Sequence, residues 1–260
     1  LVFALFVQKY VILNHWVYVS SSTAKVRWTF ERVHAKKKQY KHFDYVRCEN
    51  LKIMDHFILI SAVRHLGSSN NEGIENELQN VIGVINKIHK KHFITSLDLV
   101  PPNEFQGITN SLQATLEMIF DIEECIIENN LDFKLKHVIY HDTIKSVQSK
   151  YTAYERLGFS LIDARQRLES IKKTDSRFLI ATSDEKASLH LNNLFLIYED
   201  YLDSWKKGDV EYVKAFLNHM NYKEVAALFN INTSSGWRRE KSLKMKQYYT
   251  IKEMILSAIE

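Results

Sequence analysis

The sequence predicts an α+β protein in which a mixed region of strands and helices gives way to an all-helical carboxy-terminal region. Two observations carry this expectation. The 260 residues include only two prolines and seven glycines, well below the usual ~5% and ~7%, so helix breakers are scarce. The hydrophobic pattern also switches between strand and helix periods up to about residue 183 and stays helical beyond it. A hydrophobic content of 45% with 12% aromatics argues against disorder.

From Met54 the elements follow in order. "HFILISAV" (56–63) is a continuous apolar run, as in a strand buried on both faces. Ile74, Leu78, Val81, Ile82, Ile85 and Ile88 recur at helical spacing over 74–91. "FITSLDLV" (93–100) and "FQGIT" (105–109) read as a pair of strands. Leu112, Leu116, Ile119, Phe120 and Ile127 mark a second helix, capped by Asn110 or Ser111. "FKLKHVIY" (133–140) is a strand, Leu161, Ala164, Leu168 and Ile171 a third helix, and "RFLIAT" (177–182) a last strand. The order βαββαβαβ contains the split βαβ or ferredoxin-like arrangement.

Both prolines sit in "VPPNEFQG". Proline cannot donate to a sheet ladder, so Pro101 and Pro102 are expected at a stiff hairpin tip that aims Asn103 and Glu104 out of the end of the sheet. A sharp turn with a solvated glutamate is the plainer alternative. Asp98 lies six residues before Glu104, which along one strand amounts to about 20 Å.

The carboxy-terminal third begins with Ser183 or Asp184 as a helix cap and continues with Ala187, Leu191, Leu194, Tyr198, Tyr201 and Trp205 on one stripe. Asp209 is expected to cap a helix that turns Val210, Val213, Phe216 and Leu217 inward. The segment "NYKEVAALFNINTSSGWRREKSL" then resembles the helix-turn-helix of sigma-factor-like and LuxR-like DNA-binding domains. Val225, Phe229 and small Ala226 suit the first helix, Asn230 the turn, Ile231 a core plug and Thr233 the cap of the second. The resemblance makes Thr233, Ser234, Ser235, Trp237, Arg238, Arg239 and Lys241 the candidate DNA-binding residues, with arginines suited to guanine or phosphate. Gly236 departs from the pattern, standing where an apolar residue usually packs inward, and Trp237 is a candidate to supply that packing. The alternative is a helical hairpin for dimerisation with its basic end in solvent.

Charge is uneven. Residues 1–53 hold ten Lys or Arg against three Asp or Glu, net +7, while the rest hold 25 against 28, net −3. That leader is open to reading as a nucleic-acid-binding arm, a targeting segment, or upstream sequence outside the functional protein. The targeting reading is the weakest, because the basic cluster follows the apolar run instead of preceding it, and the last reading is favoured by the family resemblance given below, which begins at Met54. The expected division is thus a leader (1–53), an α/β domain (54–183), and a linker helix with a helix-turn-helix domain (184–260). No run approaches the ~20 apolar residues of a membrane span, and Cys48 and Cys125 suggest neither a disulfide framework nor a zinc site. A cytoplasmic protein with no membrane partner is expected.

Over about 54–260 the chain resembles the SatD family, whose members carry a domain similar to the nucleotidyl-cyclase or GGDEF fold. "MDHFILISAV", "NEFQG" where that family usually shows GDEFQ, and "GFSLIDARQRLESIKK" carry the resemblance. In catalytic relatives of that fold, carboxylates at the end of the first strand and at the hairpin hold a divalent metal. Here Ala62, Asn103 and Pro102 replace the carboxylates and the phosphate-approaching glycine, leaving Glu104. The resemblance implies a non-catalytic descendant, with Asn103 and Glu104 lining a cleft for a small ligand such as a nucleotide effector. Neither catalytic residues nor a cofactor are expected.

Other chemistry is thin. His89 with His92, and His137 with His141 and Asp142, are conceivable metal pairs, but no third ligand is set by spacing, and no metal site is assigned. P-loop, GxSxG and CxxC motifs are absent from the sequence. The function these features imply is a bacterial-type transcription regulator that binds double-stranded DNA, with a homodimer conceivable. The rivals are a nucleotide-binding or nucleotidyl-transfer protein acting through the α/β cleft, and a protein-interaction module.

Overall fold

The computed structural model describes residues 56–64, 71–100, 103–141, 153–219 and 221–259. The leader, the proline pair Pro101 and Pro102, and Asp142 lie outside the described residues.

The apolar run predicted as the first strand forms β1 (Phe57–Arg64), at the centre of a five-stranded sheet. It pairs antiparallel with β3 (Glu104–Thr109) on one side and β4 (Lys134–His141) on the other. β2 (Phe93–Val100) lies outside β3, antiparallel, and β5 (Phe178–Ala181) outside β4, parallel, giving the order β2-β3-β1-β4-β5. Alternation along β1 divides the core in two. Phe57 and Leu59 join a large core with α1 (Asn71–Ile88) and α2 (Leu112–Glu128), whereas Ile58, Ile60 and Ala62 meet Ala164, Leu168 and Ile171 of α3 (Ala153–Ile171) on the opposite face. Ser111 caps α2, its hydroxyl accepting from Ala114 N at 3.3 Å.

Gly107 has a specific task. Between Thr95 and Asp98 β2 takes one residue more than β3 does between Ile108 and Gln106, a bulge. A Cβ on Gly107 would stand 2.8 Å from Leu97 Cδ2 and 3.1 Å from the Thr95 carbonyl oxygen, so a side chain there would have to push the Leu97 tip aside and crowd the bulged backbone.

After β5 the chain is mostly helical. Asp184 caps α4 (Glu185–Ser204), accepting from Lys186 N and Ala187 N. α4 covers the free edge of β5 with side chains: Glu199 accepts from Arg177 N, Asn192 bonds both N and O of Ile180, and the Ser188 hydroxyl accepts from Thr182 N. An exposed strand edge is thereby closed to other chains. A 3₁₀ turn (Lys207–Asp209) leads into α5 (Val210–His219), followed by α6 (Tyr222–Leu228), α7 (Thr233–Ser242) and α8 (Met245–Ser257). Leu191, Phe195 and Tyr198 of α4, Phe216 of α5 and Tyr248, Ile251 and Ile255 of α8 belong to the same large core as the sheet, and residues 55–260 form one compact unit. Tyr248 stacks on Tyr198 at 5.6 Å and donates its hydroxyl to Glu124 of α2 at 2.8 Å. Among the described residues no helix is long and apolar enough to cross a membrane.

Candidate functional site

The segment from α6 to α7 is built by four local features. Asn221 caps α6, accepting from Lys223 N at 2.9 Å. Asn230 closes that helix with φ 51°, a left-handed conformation that asparagine tolerates better than most residues. Asn232, with extended backbone, caps α7: its Oδ1 accepts from Ser235 N at 2.8 Å and from the Ser234 hydroxyl at 2.7 Å. The cap is therefore one residue earlier than the expected Thr233, which is instead the first helical residue, and the Ser234 hydroxyl is committed to it. Ile231, expected as a core plug, is half-buried.

The fourth feature is Gly236, which is buried between the two helices. A Cβ there would stand 2.5 Å from the Tyr222 carbonyl oxygen and 2.8 Å from Ala226 Cβ. Glycine permits the close contact of α6 and α7, so no apolar side chain is needed and Trp237 does not turn inward. Trp237 is 48% exposed.

Gly236 and Glu240 thus form the buried stripe of α7, continued by its C-cap residue Leu243 at i+7. The opposite stripe is Ser234, Arg238 and Lys241, flanked by Trp237, whose ring lies 5.9 Å from Lys241 Nζ. Neither Arg238 nor Lys241 has a carboxylate partner among the described residues. Arg239 lies to the side. It pairs with Asp209 at 3.5 Å and stacks over Tyr212, 4.6 Å from the ring centroid, while Tyr212 stacks on Phe229 at 4.2 Å. Sequence reasoning placed Asp209 only as a helix cap and did not single out Tyr212, because both lie ahead of the motif, which begins at Asn221. Their i, i+3 spacing beside a basic helix is the only signal that could have found them. Glu240 was missed as well; its carboxylate is buried, with Lys246 Nζ at 3.8 Å.

At the hairpin, Glu104 stands opposite Ala62 in the β1–β3 register. It does not project freely from the sheet. Its carboxylate is only 15% exposed, with Lys172 Nζ on one oxygen at 2.5 Å and Arg165 on the other at 3.4 Å, and Arg165 also donates to Gln106 at 2.8 Å. Burial alone would lower the Lys172 ammonium, but Glu104 and Glu169 hold it above its ordinary value. Two cations, Arg165 of α3 and Lys172 of the turn just after it, occupy the surroundings of the one remaining carboxylate. Asn103 gives its carbonyl to Val63 N at 2.9 Å, and its side-chain oxygen is buried without a hydrogen-bond partner. The hairpin also folds Asp98 back opposite Gln106, making it a diagonal neighbour of Glu104, about 7–8 Å away instead of the distance expected along a single strand.

A third cluster is internal except at its outer member, Asp203. The Ser61 hydroxyl meets His137 Nδ1 at 2.7 Å, His137 Nε2 meets Glu123 at 2.9 Å, and Arg177 donates to the other Glu123 oxygen at 2.5 Å and to Asp203 at 2.9 Å. An ionised carboxylate only accepts, so Nε2 carries the proton to Glu123 and Nδ1 accepts from Ser61. Burial would raise the Glu123 carboxyl, but Arg177 and His137 outweigh it and hold it low; burial keeps His137 below its ordinary value and therefore neutral. The order of groups resembles a hydrolytic relay, yet Ser61 is 0% exposed and His137 1%, out of reach of any substrate. The cluster ties β1, β4, α2 and α4 together. Lys136, on the other face of β4, donates to the carbonyls of Ile171, Thr174 and Ser176 and so holds the end of α3.

Three other histidines were conceivable metal ligands. His89 pairs with Asp121 at 2.7 Å, His92 lies 6.2 Å from His89 between ring centroids, and His141 stacks on Phe57 at 4.4 Å. Among the described residues no three His, Cys, Asp or Glu side chains are grouped to hold a metal. No known family's sequence profile matches the chain, and no curated protein matches it.

Proposed function

We propose that this chain is a DNA-binding regulator in which α6 and α7 act as a helix-turn-helix, α7 entering the major groove, and in which the α/β region is a non-catalytic sensor or dimerisation element of the SatD-like, cyclase-like kind. The single observation that carries the reading is the packing of Gly236 against Tyr222 and Ala226. That contact turns Trp237, Arg238 and Lys241 to solvent together, on a helix with no carboxylate paired to its two outward cations.

Positive side chains with no carboxylate partner among the described residues, on one helix face, suit phosphate and base-edge recognition. In this reading Arg238 is the central contact, Lys241 and Trp237 flank it, and Thr233 lies at the end nearest the base edges. The strand order supports the cyclase-like part, since β3 lies between β1 and β2 as in a split βαβ arrangement. The lack of catalysis is supported by Ala62 opposite Glu104 and by the lysine and arginine on that carboxylate. Two chains in a dimer would read half-sites about 34–36 Å apart, or a multiple of that.

The test is selection from a pool of random duplexes by the full chain. Enrichment of a common sequence is expected. A bound fraction indistinguishable in sequence from the input, with no retention above background, would replace this reading with that of a protein-interaction module.

A further inference from the structure

Beside the outward face of α7 lies a notch of about 420 Å³, lined by Tyr212, Ile231, Ser235, Arg238, Arg239 and Ser242. Apart from Ile231, every lining side chain carries a donor: two guanidiniums and three hydroxyls. The Ser242 hydroxyl donates to the Arg239 carbonyl in the free protein and rotates freely enough to serve another acceptor. No carboxylate lines the notch, and the size falls within the range of about 300–1,000 Å³ typical of ligand sites. Such a set of donors fits an anion.

Arg239 is the poised member. Its guanidinium carbon lies over the Tyr212 ring, 4.6 Å from the centroid, a contact that still leaves N–H groups to meet a partner. Those groups are held by Asp209 alone, at 3.5 Å, with the two side chains 46% and 24% exposed. A pair so long and so open to water is weak. Asp209 is therefore a weakly held counterion of Arg239.

We infer that this notch binds a backbone phosphodiester of nucleic acid, with Arg238 and Arg239 as its cations and Asp209 as the group that gives way. This rests on the proposed DNA-binding role of α7 and adds a specific anchor to it. In the free protein Asp209 neutralises Arg239. On binding, the phosphodiester takes the Arg239 edge, the Asp209 carboxylate returns to solvent, and condensed counterions leave the duplex.

The test is titration of the full chain with labelled duplex at several salt concentrations, comparing wild type with Asp209→Asn, Arg239→Gln and the double variant. The change Asp209→Asn keeps a side-chain oxygen able to accept from Lys206 N, as the carboxylate does, so the turn is preserved. Asp209→Asn should tighten binding about two- to five-fold, the range spanned by an exposed ion pair. Arg239→Gln should weaken it and lower the salt slope by about 0.9. In the double variant the gain from Asp209→Asn should vanish, and a gain that depends on one arginine is not mimicked by misfolding. If wild type binds duplex with a salt slope while both single variants match it, the notch is not used and the DNA-binding reading stands. If wild type shows no salt-dependent binding, both fail. Inorganic phosphate at constant ionic strength should leave the duplex bound; displacement would assign the notch to free phosphate.

Discussion

The backbone carbonyl of Tyr222 occupies the space where a side chain on Gly236 would begin, 2.5 Å from the position of its first carbon. In an open helix Gly→Ala stabilises by about 1 kcal/mol. Here the added methyl meets backbone on one side and Ala226 on the other, neither of which moves aside cheaply. Gly236→Ala is therefore expected to lose about 1–3 kcal/mol, the usual range for overpacking. Thermal and urea unfolding of the two proteins measure it, and a variant as stable as wild type would contradict the close packing of α6 on α7.

Glu123 and Arg177 are buried together, both under 5% exposed at the side chain. Removing one partner strands the other's charge, which typically costs about 3–5 kcal/mol. Arg177→Met should therefore destabilise strongly, and the double change Arg177→Met with Glu123→Leu should recover much of the loss. Unfolding midpoints of the single and double variants report this; equal losses in both would show that the charge pair is not the cause.

The same cluster sets a pH dependence. His137, lowered by burial, and Glu123, lowered because Arg177 and His137 outweigh burial, both bind protons more readily in the unfolded chain than in the folded one. Their contribution is present at neutral pH and lost on acidification, beginning below the ordinary histidine value of 6.5 and increasing below the ordinary carboxylate value of 4.5. Glu199, raised by burial beside Arg177, works in the opposite direction. Comparing His137→Gln with wild type between about pH 5 and pH 7 separates the two. Wild type should lose more stability over that interval; parallel curves would remove His137 as the source.

Glu104 is expected to be a structural acid. Glu104→Gln should change stability by about 1 kcal/mol or less, as for a partly exposed ion pair, and calorimetry with magnesium and nucleoside triphosphates should show neither tight binding nor turnover. Turnover abolished by that substitution would restore the cleft as an active site.

The order of strands and helices was legible because each element carries its own periodicity, and the caps at Ser111 and Asp184 and the turn at Asn230 follow from local chemistry. What escaped was set by tertiary contact. Gly236 reads as a defect along one helix and becomes a requirement only once Tyr222 is seen above it, and Trp237 consequently faces outward. Glu104 reads as a solvated turn residue until α3 brings Arg165 and Lys172 over it. Ser61, His137, Glu123 and Arg177 are scattered over more than a hundred residues, so no spacing rule could join them. The shift of the α7 cap from Thr233 to Asn232 is smaller: two adjacent polar residues both suit the position, and backbone conformation decides between them.

The most direct measurement of the central claim is the affinity of the full chain for duplex DNA against salt concentration, for wild type and Arg238→Ala. Wild-type affinity is expected to fall linearly on logarithmic axes, by about 0.9 per phosphate contacted. Arg238→Ala should lower that slope by about one contact, its guanidinium being one of the two cations of the phosphodiester notch. Wild-type binding that does not vary with salt, or an Arg238→Ala curve superimposable on wild type, would contradict the assignment of α7 as the DNA-binding helix.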